Sequence, residues 1–260
     1  MMIGKPQVTS DGAATLRFVR RGRSTVLDSW YARAPYHISP PLVGASSDVA
    51  RVALLTTGGG LLGSEALSLD IHLAAGAHAS IGTIGATRLL PAAAECTQRI
   101  RIGLESGSSL HYLPEPLIPC ARAWYQQRTE VDVDAGATAL IGEVVTPGRT
   151  AHGERFAFAH LSLGLRVRRE GRPILVERLV LDPAAGHLPV ALGSHSHIAS
   201  LTLVGPSATP ALAAEIQALL RARGLDGSAS LATRELLVAR VLGDGAYTLQ
   251  HALRAIAALV

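Results

Sequence analysis

The sequence predicts a mainly β fold in which stacked sheets are built from repeated strand–turn–strand units, with about two helices at the C-terminal end. Three observations carry this. Apolar and polar residues alternate with a period of two, a unit with a Gly-Ala or Gly-Ser turn recurs three times, and the C-terminal part switches to helical spacing.

The alternation is plainest in three segments. Leu67, Leu69, Ile71 and Leu73 alternate with Ser68, Asp70 and His72. Ile100, Ile102 and Leu104 alternate with Arg99, Arg101 and Gly103, and Val131 and Val133 with Glu130, Asp132 and Asp134. Successive side chains of a strand point to opposite faces, so each segment predicts a half-buried strand. Each runs into a turn that carries Gly76, Gly107 or Gly136, spaced 31 and 29 residues apart, and then into a second apolar segment. Glycine supplies the positive φ that a tight turn needs. Stacked units burying each other's apolar faces explain the repeat; antiparallel hairpins with coincident spacing are the alternative.

Thr209 caps a predicted helix that opens on Pro210, carries Leu212, Ile216, Leu219 and Leu220 on one face, and stops at Gly224. Arg234 to Leu242 reads as a strand. A second helical pattern follows with Leu249, Leu253, Ile256 and Leu259.

The 260 residues are 48% hydrophobic and 17% charged, enough apolar material for a sizeable core. Aromatics are only 4%, so the core is expected to be aliphatic. No linker rich in Pro, Gly or Ser divides the chain, and residues 1–260 read as one domain. The net charge of +4 is ordinary, and no basic run is interleaved with aromatics, which argues against nucleic acid. No stretch is long and apolar enough to span a bilayer. The two cysteines, Cys96 and Cys120, form no metal-binding spacing and suit a reducing compartment. Residues 1–7 lack the apolar run of a signal peptide, so a cytoplasmic location is expected.

Enzyme signatures are missing. Gly58-Gly59-Gly60 lacks the Gly-Lys-Ser/Thr ending of a phosphate loop and reads as a turn. No Gly-x-Ser-x-Gly elbow is present. His195-Ser196-His197 has the spacing of metal ligands in a cupin-like barrel, but no glutamate follows. Glu154 and Glu177 sit beside Arg155 and Arg178, with no nucleophile near either in sequence.

Several segments resemble, in order, the motifs of the UreD (UreH) family of urease accessory proteins. Gly58-Gly59-Gly60-Leu61-Leu62-Gly63-Ser64-Glu65 resembles the family's glycine-rich motif, with Glu65 in place of an aspartate. Ile81-Gly82-Thr83-Ile84-Gly85-Ala86-Thr87-Arg88 is similar to its threonine segment, with Gly82 for a threonine and Arg88 for a lysine. Leu113-Pro114-Glu115-Pro116-Leu117-Ile118-Pro119 resembles "LPQPxIP", and Gly148-Arg149 with Gly153-Glu154-Arg155-Phe156 resembles "GR…GExF". Pro173 to Leu179, with Glu177-Arg178, is similar to "PLLxER", and Leu236 to Gly243 to the strand before the last helix.

The resemblance implies a non-enzymatic scaffold that binds UreF, UreG and the urease apoprotein and helps deliver nickel to urease. It implies no tightly bound cofactor, with nickel only in transit through a polar internal tunnel. The matching positions are Glu65, Glu154 and Glu177 as transient nickel ligands, and Thr83, Thr87 and Arg88 as lining. Carboxylates and hydroxyls bind such an ion weakly enough to exchange it. Pairing of the glutamates with Arg149 and Arg178 is the structural alternative. Two other classes compete: a β-rich ligand-binding module, which would need aromatic platforms that Trp30 and Trp124 do not form, and a cupin-like metalloenzyme.

Overall fold

The computed structural model describes residues 12–39, 48–91, 94–186, 188 and 192–260. The N-terminal segment read above for a signal peptide lies outside them. The chain opens with a hairpin of β1 (Ala13–Arg21) and β2 (Ser24–Arg33), then β3 (Tyr36–Ile38) and β4 (Ala50–Thr56). A coil follows through β5 (Ala66–Leu73), β6 (His78–Thr83), β7 (Thr87–Leu89), β8 (Cys96–Leu104), β9 (Ser109–Tyr112), β10 (Leu117–Pro119), β11 (Trp124–Val133), β12 (Thr138–Val145) and β13 (His160–Arg169). Then come β14 (Arg172–Leu181), β15 (His197–Val204), helix α1 (Pro210–Ala222), β16 (Asp226–Thr233), β17 (Leu236–Gly243) and helix α2 (Ala246–Ala257).

The strands form two facing sheets. One runs β14-β13-β11-β8-β5-β1-β2, the other β16-β17-β15-β12-β9-β6-β4-β3 with β10 and β7 attached. The chain alternates between them, and β5, β8, β11 and β13 stack in parallel, as do β4, β6, β9 and β12. The repeated units are therefore rungs of a solenoid, and the two strands of a unit do not pair with each other as a hairpin would. Gly76, Gly107 and Gly136 turn each corner at φ of 67°, 68° and 71°. The small residue after each glycine, Ala77, Ser108 or Ala137, is buried inside the corner. Neighbouring corners are bonded together, with Ser109 N donating to Ala77 O at 2.9 Å and Thr138 N to Ser108 O at 2.8 Å.

The alternating residues named from sequence fill the space between the sheets: Leu67, Leu69, Ile71, Leu73, Ile100, Ile102, Leu104, Val131 and Val133 are all buried. The ten-stranded sheet buries its other face too. Leu140, Val144, Leu201, Leu203, Leu237 and Val241 pack there against Leu212, Ile216 and Leu220 of α1 and Leu249, Leu253 and Ile256 of α2. Thr209 Oγ1 accepts from Leu212 N at 3.2 Å, as its position before Pro210 predicts. Three details differ from the sequence reading. Leu259 lies beyond α2 and is exposed. The predicted Arg234–Leu242 strand starts at Leu236, because Glu235 takes a φ of 61° in the turn before it. And β16, whose small polar residues carry no large apolar alternation, is an unpredicted edge strand.

The motif segments fall at one place in the coil. Residues 58–63, 83–89, 113–119 and 148–156 are the four successive crossings from the ten-stranded to the seven-stranded sheet, and they stack. Leu61 pairs with Leu89, β7 pairs with β10, and β10 pairs with β12. Leu61 N donates to Arg88 O at 2.8 Å. Gly60 must be glycine: at φ 153° an added Cβ would lie 2.6 Å from Arg88 O, whereas at Gly58 it would meet open space. Gly148, at φ 134°, likewise brings the last crossing against Pro119 O, 3.2 Å from an added Cβ. We expect Gly60→Ala to lower unfolding free energy by about 2–3 kcal/mol, strain plus collision, and Gly58→Ala by about 1 kcal/mol, strain alone. Urea unfolding of the two variants checks this; equal losses would refute the close-approach account.

Candidate functional site

The interior is not uniformly apolar. Along the inner face of β11 the order is Tyr125, Gln127, Thr129, Val131, Val133, polar toward the crossings and aliphatic toward the glycine corners. Gln98 of β8 continues the polar end. Gln98 Nε2 donates to Tyr36 Oη at 2.5 Å, and Tyr125 Oη donates to Gln98 Oε1 and, at 3.1 Å, toward Gln127 Oε1. Gln127 Nε2 reaches across the layers to Glu143 of β12 and also lies 3.3 Å from Thr129 Oγ1. On the facing sheet Glu143, Ser200 and Arg240 are register partners on β12, β15 and β17. Arg240 closes the seam by pairing with Glu177 of β14, which joins the two sheets.

Two cavities lie along this seam. One of about 30 Å³ is lined by Tyr36, Thr83, Thr87, Gln98, Glu115 and Gln127 among others. The second, of about 110 Å³, is lined by Thr129, Glu177, Arg178, Ser200, Thr202 and Arg240 among others. Glu143 lines both. The residue is half-buried. Burial raises its pKa to about 7, with the Gln127 hydrogen bond and Arg240 opposing and Glu177 reinforcing. Burial also pushes the Cys96 thiol up to about 12 and raises the Tyr36, Tyr112 and Tyr125 hydroxyls above their ordinary range. At neutral pH these groups offer neutral oxygen and sulfur atoms, while Glu143 is poised between its two states.

The expected site residues separate into three places. Thr83 and Thr87 line the smaller cavity; Glu177 and Arg178 line the larger. Thr83 also holds its crossing, accepting from Glu115 N at 2.9 Å and donating to Gly85 O at 3.0 Å. Glu177 does not pair with Arg178, as the sequence reading allowed. Adjacent residues of a strand point to opposite faces, so Arg178 turns to Ser162 Oγ, 2.9 Å away, and the partner of Glu177 is Arg240.

Glu65 is buried but lines neither cavity. Its carboxylate accepts from Leu62 N at 2.8 Å and closes the Gly58–Gly63 turn. Arg88 is exposed, because the alternation of β7 turns Thr87 and Leu89 inward and Arg88 out. It lies in an outer groove with Arg149, His152, Arg155 and His197. Glu154 is outside as well, clamped by Arg149 and by Ala121 N at 3.0 Å, and these bonds hold its pKa down at about 2. In the proline-rich segment, Leu113 N donates to Ile81 O, Pro116 O accepts from Thr87 N, and Pro114 O accepts from Gln250 of α2 at 3.0 Å. An added Cβ on Gly82 would lie 3.1 Å from Leu113 O, so the glycine there accompanies close crossing contact.

The competing classes find little footing. His195 Nδ1 is bonded to Asp244 at 3.1 Å, and its Nε2 lies 3.6 Å from Asp226. His197 is buried and bonded to Ser196 Oγ at 2.8 Å. No cluster of three or more His, Cys, Asp or Glu able to hold an ion occurs among the described residues. Trp30 and Trp124 lie on β2 and β11, with β8, β5 and β1 between them. No helix among the described residues is long and apolar enough to cross a membrane.

Sequence reasoning missed Gln98, Tyr125, Gln127, Glu143 and Arg240. A signal for two of them existed: Glu143 interrupts Ala139-Leu140-Ile141-Gly142-Glu143-Val144-Val145, and Arg240 interrupts Leu236-Leu237-Val238-Ala239-Arg240-Val241-Leu242. A lone charge in a strand buried on both faces must find a partner or a function.

The Glu143 carboxyl gives a signed pH dependence. Its pKa is raised on folding, so the folded chain binds the extra proton, and stability is lost as pH rises from about 4.5 through about 7. Glu143→Gln removes that loss. We expect the variant to match the parent at pH 4.5 and to exceed it by up to about 3 kcal/mol at pH 8, measured by urea unfolding at a series of pH values. A difference that does not change with pH would refute the buried-carboxyl assignment.

The family described as UreD urease accessory protein matches residues 10–260. A urease accessory protein UreD of Cupriavidus pinatubonensis is 31% identical over 244 residues, covering 91% of this chain and 84% of that protein. One from Actinomyces naeslundii is 30% identical over 240 residues, covering 91% and 89%. One from Sorangium cellulosum is 32% identical over 200 residues, which is 77% of this chain and 64% of that protein. These relatives are accessory proteins by name and not the enzyme itself, and the match runs through both sheets and both C-terminal helices: the chain belongs to the UreD family of urease accessory proteins.

Proposed function

We propose that the chain serves urease maturation as a scaffold that binds UreF, UreG and the urease apoprotein, and that nickel passes through the polar seam between its sheets. The observation that carries this reading is Glu143, one carboxyl forming a wall of both internal cavities. The donors around it are oxygens of Thr, Gln, Tyr, Ser and Glu, with no thiolate, which suits a borderline cation held weakly and handed on. A cavity of about 30 Å³ accepts about two waters. A cation crossing there sheds most of its hydration shell and takes side-chain oxygens in exchange. Glu143 is the group able to change charge at that step, releasing a proton as the cation arrives. Glu177, held by Arg240, supplies a second carboxylate on the far side.

The test separates transit from folding by measuring complex yield with UreF and the nickel content of urease in the same preparations. Glu143→Gln keeps the acceptor for Gln127 and removes the charge. We expect intact complex and nickel loading lower by about tenfold. Glu177→Gln should lower both, because Arg240 loses its partner, and Glu65→Gln should lower complex yield first, because the Gly58–Gly63 turn loosens. Glu154→Gln, on the outside, should leave nickel loading unchanged. Normal nickel content in both Glu143→Gln and Glu177→Gln, with complex intact, would remove the seam from the route.

A further inference from the structure

The outer face of the seven-stranded sheet carries a second organised array. In-register stacking places Ser68, Arg99, Arg128, Gly164 and Arg178 in one row across β5, β8, β11, β13 and β14. Arg99 and Arg128 are direct neighbours on parallel strands, about 4.8 Å apart in backbone spacing. Both are exposed, and neither has a hydrogen bond or ion pair among the described residues. Like charges directly opposite one another are destabilising, so the row carries a cost that the isolated chain does not offset.

The next rows behave differently. Asp70 pairs with Arg101 at 2.8 Å, Asp132 pairs with Arg168 at 3.5 Å, and Glu130 is the register neighbour of Arg101 and Arg166. Acidic residues thus accompany the cations of these rows, whereas the row of Arg99, Arg128 and Arg178 holds none. Gly164 lies in that line between Arg128 and Arg178, and its missing side chain opens a groove of about 350 Å³ bordered by Arg128, Arg166 and Arg178. A second groove of about 500 Å³ lies on the other side of Arg128, with Arg99 and Arg101. Arg178 donates Nε to Ser162 Oγ at 2.9 Å, and its terminal nitrogens make no hydrogen bond or ion pair among the described residues.

We propose that this row docks an acidic helix of a partner protein, with carboxylates meeting Arg99, Arg128 and Arg178. The spacing suits a helix. Arg99 and Arg128 are one strand apart and Arg128 and Arg178 two, and these successive steps of about 5 and 10 Å match carboxylates at i, i+3 or i+4, and i+10 or i+11, given a rise of 1.5 Å per residue. The grooves beside the row accept the helix's neighbouring side chains. Nucleic acid fits less well, because a continuous phosphate backbone laid on this face meets Asp70 and Glu130 one row from the arginines and Asp132 two rows away. Of the three arginines only Arg178 also lines the larger seam cavity, and the inference rests on Arg99 and Arg128, which line neither seam cavity.

The experiment uses the full chain and a fluorescein-labelled, capped helical peptide with glutamates at i, i+4 and i+11. A glutamine version of the peptide and a single-stranded oligonucleotide of matched charge serve as comparison probes, all read by fluorescence anisotropy. We expect the glutamate peptide to bind, the glutamine peptide not to, and affinity to fall with salt. Arg99→Glu with Arg128→Glu should weaken binding at least tenfold. Arg23→Glu with Arg234→Glu, the same charge change in exposed turns, should alter it less than twofold, with thermal melts confirming that both variants fold. Absence of peptide binding at millimolar concentration, equal loss in the two double variants, or tighter binding of the oligonucleotide would each overturn the proposal.

Discussion

In-register stacking of successive rungs is the constraint on which the rest of the molecule depends. A residue in the coil has as its closest neighbours the residues about thirty positions before and after it, at a strand spacing of about 4.8 Å. Whatever one rung places at a position, the next must tolerate. The corners show this most simply: Gly76, Gly107 and Gly136 share one left-handed conformation, and each is followed by a small buried residue. A side chain larger than alanine or serine there would collide with its counterpart in the adjacent rung.

The same rule sorts polarity along the rung. Toward the corners the inner face is apolar, as in Phe18, Leu73, Leu104, Val133, Ala79 and Leu110, and burial alone stabilises it. Toward the crossings, polar residues on one strand recruit polar residues on the next, since an unpartnered buried amide or hydroxyl costs a few kcal/mol. Gln98 beside Tyr125, Gln127 reaching Glu143, and Glu143 in register with Ser200 and Arg240 are the outcome. Outside, the rule produces rows of charge. Where a row mixes signs, as in Asp70 with Arg101, it closes on itself; where it does not, as in Arg99 with Arg128, it is left open to a partner.

Much of the architecture is legible in the sequence because this constraint writes itself as periodicity. The alternation in Leu67 to Leu73 and the glycine spacing fix strands, corners and stacking, and Thr209-Pro210 fixes the start of α1. What the sequence hides is which strands face which. Arg178 follows Glu177 in sequence, but alternation sends them to opposite faces and the partner of Glu177 lies 63 residues away. Glu65 and Glu154 look equivalent to Glu177 as carboxylates in glycine- and arginine-rich motifs, yet one closes a turn and the other clamps a surface crossing. Arg88 and Thr87 share a motif and lie on opposite sides of one short strand. The seam residues escaped notice because Gln98 lies inward between Cys96 and Ile100 and Gln127 between Tyr125 and Thr129, uncharged residues that mark no site in the sequence. Only the fold brings their polar atoms together.

A buried carboxyl in such a seam needs a reason to persist, because well-packed apolar residues in place of a buried charged group often stabilise a fold. The charges present constrain that reason. Glu177 and Arg240 already neutralise each other, so Glu143 has no cation left to itself, and its proton is the cheapest way to remain uncharged. A structural carboxyl would be better served by a dedicated arginine, as Glu154 is by Arg149. A carboxyl that holds a proton near neutrality, faces open volume on both sides and takes its hydrogen bond from the Gln127 amide is instead suited to exchanging that proton for a cation. The proposed transit of nickel accounts for a feature of the interior that stability alone does not.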